Sequence, residues 1–200
     1  MSTIRYTLVL SLFFAFNLQL LADNYQESTD GDLSGNLMVP TLFELDVGQN
    51  RISATSASGD LEYFRVVVPA NSLLSVINHD IYQSNNARAF LGMQFGPTFT
   101  VLPNAALPAD LAGYTHFGFD TISSNLMLDM STSFGSQGFS VPLGPGDYTF
   151  WAQQLESQPT FYQFTFEVQQ IPEPAFGVWV ALCVIGMIGR LSLSLLRGQA

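Results

Sequence analysis

The chain has 200 residues, 48 % of them hydrophobic, with 16 Asp and Glu against six Arg and no Lys. Residues 23–172 hold 15 of those acids and only Arg51, Arg65 and Arg88, a net charge of −12. Such a surface repels phosphate backbones and anionic headgroups, which excludes nucleic acid as a partner. The single Cys, Cys183, lies in an apolar tail, so the chain must hold together by packing and not by an internal disulfide.

Residues 1–22 read as a Sec signal peptide. Arg5 supplies the positive start, residues 6–16 the apolar stretch, and Leu20-Leu21-Ala22 a cleavage site ending at Ala22. Export through the Sec translocon is the expectation; an uncleaved N-terminal anchor is the alternative. Residues 23–40 are polar and acidic, broken by Gly31, Gly35 and Pro40, and read as a leader loop. Inside it, Asp30, Asp32 and Ser34 carry oxygens at the alternate positions of a calcium loop. Thr41 stands where that loop's bidentate Glu belongs, so the stretch reads as an Asp/Gly turn with no metal or cofactor.

From residue 41 to 170 the dominant period is two. Phe43, Leu45 and Val47 alternate with Glu44 and Asp46, and residues 51–55 return after the turn at Gly48-Gln49-Asn50. Phe64, Val66 and Val68 alternate with Tyr63, Arg65 and Val67. Residues 73–77, 90–95 and 99–102 are further strand candidates, while residues 103–129 are irregular, with short helices expected at 107–111 and 126–130. Gly144-Pro145-Gly146-Asp147 opens a final hairpin, residues 148–154 and 161–168. About eight short strands between turn signals predict an all-β antiparallel sandwich.

The tail from 171 to 200 begins Ile171-Pro172-Glu173-Pro174, continues uncharged from Ala175 to Gly189, and carries Arg190 and Arg197. Carried on to Leu196, the apolar run is long enough to cross a bilayer as a helix, with the Arg end in the cytoplasm. The Pro172-Glu173-Pro174 triplet, the single short span and the terminal Arg190 and Arg197 together resemble the PEP-CTERM sorting signal of Gram-negative bacteria. The resemblance implies recognition by exosortase, a membrane-embedded cysteine peptidase, and cleavage near the triplet. It further implies an inner-membrane-anchored precursor, then release to the cell surface or extracellular matrix.

A second resemblance lies in the domain. Gly59-Asp60-Leu61-Glu62-Tyr63-Phe64, running on to Val68-Pro69-Ala70, is similar to a signature of the bacterial pre-peptidase C-terminal domain, with Glu62 in place of its second Asp. That likeness implies a β-sandwich and carries no activity with it.

Catalytic constellations are sparse. The sequence holds no G-x-S-x-G, no paired Cys or His at metal spacing, and only His79 and His116 as imidazole bases. Tyr114, His116, Trp151 and Gln153 instead combine apolar rings with polar tips, which suits either sugar stacking or a sandwich core. The sequence therefore points to a non-enzymatic exported protein with exopolysaccharide as its candidate ligand. A secreted hydrolase or peptidase-associated accessory module, and a permanent single-pass membrane protein, are the alternatives.

Overall fold

A computed structural model describes residues 24–172. Ala22, Glu173, Pro174, Arg190 and Arg197 lie outside the described residues, as do the expected signal segment and membrane-spanning tail. No helix among the described residues is long and apolar enough to cross a membrane.

The alternating stretches form strands: β1 (Asn24–Gln26), then the single turn α1 (Glu27–Asp30), β2 (Thr41–Glu44), β3 (Gly48–Ser56), β4 (Glu62–Val68), β5 (Ser72–Gln83), β6 (Arg88–Phe95) and β7 (Gly113–Gly118). After them come α2 (Leu126–Ser131), β8 (Gly146–Gln154) and β9 (Thr160–Gln170). They assemble into two sheets, ordered β1-β3-β9-β5 and β2-β4-β8-β6-β7. Most pairings are antiparallel; the short edge strands β1 and β2 instead run parallel to β3 and β4. The described residues are thus a mostly-β, sandwich-like domain, and the nine strands follow from side chains that point alternately to core and outside.

The core lies between the sheets. Phe64 and Phe150 stack at 5.2 Å, and Phe166 meets both edge-on from the opposite sheet at 6.3 and 5.8 Å. Phe117 and Phe164 continue this layer at 5.0 Å. These rings are fully or almost fully buried, the burial that drives folding.

Several expectations change in detail. Residues 99–102 form no strand; Phe99 is buried as a plug beneath the loop that leads from β6 to β7. Irregular residues 113–118 pair with β6 as β7. The strand expected at 73–77 continues to Gln83, because Asp80 accepts hydrogen bonds from Gln163 and Thr165 on β9. The helix expected at 107–111 shrinks to a 3-10 turn at Pro108–Asp110, whereas α2 forms where expected, capped by Asn125 Oδ1 accepting from Met127 N–H at 3.1 Å.

The stretch read as a leader loop is tied into the domain. Tyr25 packs against Phe43 at 4.9 Å, and Leu33 is buried. Glu27 accepts hydrogen bonds from Thr55 N–H at 2.6 Å and Leu33 N–H at 3.4 Å. Two apolar anchors and one carboxylate hold a segment whose overall composition is that of a loop.

Candidate functional site

On the outer face of the five-stranded sheet, register brings together side chains from separate parts of the chain. Gly92 on β6 pairs with Tyr114 on β7 and Trp151 on β8, and Trp151 pairs with Tyr63 on β4. One step along, Phe90 lies between His116 and Gln153. All four residues read from the sequence as ligand-binding, Tyr114, His116, Trp151 and Gln153, therefore share one face. Phe90 and Gly92, which tie them together, were not among the residues the sequence singled out.

The loop from β6 to β7 closes over part of this face. Its anchor is Gln94, whose amide donates to the Asp110 carbonyl at 2.7 Å and accepts from Thr100 N–H at 2.7 Å. Phe99 and Leu111 descend from the loop onto the sheet, forming a second buried cluster with Tyr63 and Trp151. Gly92 leaves room for Phe90: a Cβ there would come within 2.9 Å of the ring that lies across that position, and the ring would have to shift. Between the loop and the sheet remains a slot of about 180 Å³, lined by Phe90, Tyr114 and Trp151 on one side and Pro103, Leu107 and Pro108 on the other.

Trp151 does not offer the free stacking face that a sugar platform would use. It is only 6 % exposed, stacked on Tyr63 at 6.5 Å and packed against Phe90 at 4.7 Å and Phe99 at 5.9 Å. The physical reason is the loop, which buries an outer face that strand alternation alone would leave in water. Trp151 is a wall and a support. The accessible shelf is Phe90 and Tyr114, stacked at 6.1 Å, with exposed His116 and half-buried Gln153 beside Phe90. Tyr114 is held in place by its hydroxyl, which donates to the Phe134 carbonyl at 2.9 Å. Leu107 and the 92 % exposed Phe134 add apolar surface around it.

The Asp30, Asp32 and Ser34 oxygens do not converge. Asp30 caps its own turn by accepting from Gln26 N–H at 2.7 Å, Asp32 interacts with Glu27, and Ser34 Oγ accepts from Asn36 N–H at 3.1 Å. Among the described residues no three His, Cys, Asp or Glu side chains are grouped to hold a metal ion. A larger cleft of about 620 Å³ runs along the β1–β2 side of the sandwich, lined by Tyr25, Phe43, Asp46 and Arg51.

Two buried ionisable groups stand apart from the shelf. His79 is fully buried among Tyr82, Phe117 and Phe164, and burial holds its pKa below the usual imidazole value. Its Nδ1 lies 2.9 Å from Thr121 Oγ1, a hydroxyl that donates to the Gly118 carbonyl and accepts from Gly118 N–H. Among the described residues Nε2 has no partner, so within them the pair lacks a third group that would orient a base for nucleophilic work. Glu62 is fully buried, and burial pushes its pKa up to about 9. Tyr162 donates a hydrogen bond to Oε2, while Oε1 has no partner among the described residues. Glu27, Asp60 and Asp32 add negative charge nearby, so the neutral acid is the form this site stabilises.

No protein-family model matches the chain, and no curated protein or solved structure is significantly similar to it.

Proposed function

We propose that the chain is a non-enzymatic exported protein, a β-sandwich that a PEP-CTERM tail delivers to the cell surface or extracellular matrix. There the outer shelf binds exopolysaccharide weakly. In this reading the Sec translocon exports the precursor, the tail holds it in the inner membrane, and exosortase cuts near Pro172-Glu173-Pro174.

The observation that carries the sorting reading lies at the end of the domain. β9 stops at Gln170, residues 169–172 are exposed, and the Pro-Glu-Pro triplet begins at once. Two prolines on either side of Glu173 keep that segment from joining a strand or helix. Exposed residues 169–172 thus lead directly from the folded domain into the triplet a peptidase would read. The ligand reading rests on the Phe90 ring, seated over Gly92, with the polar groups of His116 and Gln153 in the register row beside it.

Substitution of Glu173 by Ala tests the sorting step in a host that carries an exosortase. The expected result is a full-length precursor retained in the membrane fraction. Processing and export like the wild type would overturn the assignment, and a wild-type chain that always keeps its tail would favour the permanent single-pass anchor.

A further inference from the structure

Phe134 carries the most exposed large apolar side chain among the described residues, at 92 %. Its turn is nevertheless held on both sides. Before it, Ser133 Oγ donates to the Met130 carbonyl at 2.9 Å and accepts from Tyr114 N–H at 3.0 Å. The Phe134 carbonyl itself accepts from the Tyr114 hydroxyl. After it, Gly135 takes a φ of +77°, which lets the chain reverse, and Gln137 and Gly138 N–H donate to the Leu111 and Ala112 carbonyls, each at 3.0 Å. The fold thus fixes the backbone of a residue whose ring stands in water.

This ring stands beside the slot. A Cβ on Gly135 would lie 3.3 Å from Pro108, which with Leu107 and Pro103 makes the slot's loop-side wall. Cavities of about 150 Å³ with apolar walls take up benzene, so the slot of about 180 Å³ has room for a phenyl ring. Phe134 does not fill the slot of its own chain, since its ring is exposed. A knob and a hole on one patch are what a two-fold contact requires, because the same surface then serves both copies.

Charge points to the same patch. Two copies of a domain with net charge −12 repel over most of their surface, yet residues 99–109 and 130–146 carry no charge at all. We propose that this face is self-complementary: in a two-fold dimer the Phe134 ring of each copy enters the slot of the other. There it meets Tyr114 and Trp151 on the sheet side and Leu107 and Pro108 on the loop side. The nearest acids along the chain, Asp110 and Asp129, bring like charges together, so added salt should tighten the contact. His116 and Gln153 do not line the slot, and self-association and sugar binding therefore stand or fall separately.

Sedimentation equilibrium of the full chain in a density-matched detergent, over a concentration series, tests the dimer. The wild type should show a reversible monomer–dimer equilibrium. Phe134→Ser should weaken it by roughly tenfold or more, since each copy loses one buried ring. Ala106→Phe, which fills the slot from the loop side, should weaken it similarly with unchanged thermal unfolding. Mixing the two variants restores one knob and one slot, and the mixture should associate more tightly than either variant alone. Leu107→Asn, at a 64 % exposed position of the slot wall, tests the slot without burying a new side chain and should also weaken the dimer. A monomeric wild type overturns the dimer, and so does self-association that survives Phe134→Ser. Wild-type affinity in Leu107→Asn, or a mixture no tighter than its components, overturns the slot as the receptor of the ring.

Discussion

Phe150 and Trp151 are neighbours on β8, yet they belong to different clusters. Phe150 points inward and is sealed by a whole sheet, with Phe64 stacked on it and Phe166 edge-on from β9. Trp151 points outward and is covered by a single loop, through Phe99 and Leu111. Around Phe150 the facing sheet closes the inner cluster, whereas a loop held at Gln94 leaves a gap over Trp151. The difference shows how an outer face can be both packed and reachable.

Truncations in the two clusters should separate them. Phe166→Ala is expected to destabilise the domain by about 4–5 kcal/mol, the upper range for a buried Phe that leaves a cavity. Trp151→Ala should cost about 3 kcal/mol, because the loop can settle into the space. Urea denaturation checks both. Equal losses would mean that the loop seals its face as firmly as the opposite sheet does.

The inner region also holds Glu62 and His79, and their protonation should shape stability against pH. Glu62 has a folded pKa of about 9 against 4.5 in the open chain. Its contribution is complete below about 4.5 and is lost as pH rises toward about 9. His79 is displaced downward from 6.5, so its contribution is complete above 6.5 and is lost as pH falls. Below 6.5 the two slopes oppose one another, so stability changes less steeply there than above 6.5. Above it Glu62 costs at most about 1.4 kcal/mol per pH unit. Unfolding followed across pH should show both limbs, with Glu62→Gln flattening the alkaline one and His79→Asn the acid one. An alkaline limb unchanged in Glu62→Gln would show that the carboxyl is not held neutral.

The smallest expected effect concerns the face of β9 opposite the core. Thr165 is buried despite pointing away from Phe166, and its hydroxyl donates to Asp80 at 2.5 Å. Thr165→Ala should cost about 1 kcal/mol, the net worth of one such hydrogen bond. A loss as large as that of Phe166→Ala would mean that the faces of β9 are wrongly assigned.

Alternation made β4, β8 and β9 legible, since Phe64, Phe150 and Phe166 fall on the inward phase in the sequence as in the structure. It also set Trp151 on the side opposite Phe150, while leaving open which of the two sides is outer. It could not tell what covers that side, because burial of an outer face depends on a loop closing from far along the chain. Phe99 illustrates the limit: a short apolar run reads the same as a strand or as a plug. The far half of β5 was hidden for the converse reason, its polar Asn78 and Asp80 being satisfied by each other and by β9. Of the site, the rings and polar tips were visible as types. Phe90 and Gly92, which join them, emerge only from register.

Release of the folded sandwich from its sorting tail, as proposed above, is checked by the intact mass of the protein from its native host. A mature chain that starts after Ala22 and ends close to Pro172-Glu173-Pro174 is the expected result. A mature chain that still contains Arg190 and Arg197 would contradict it.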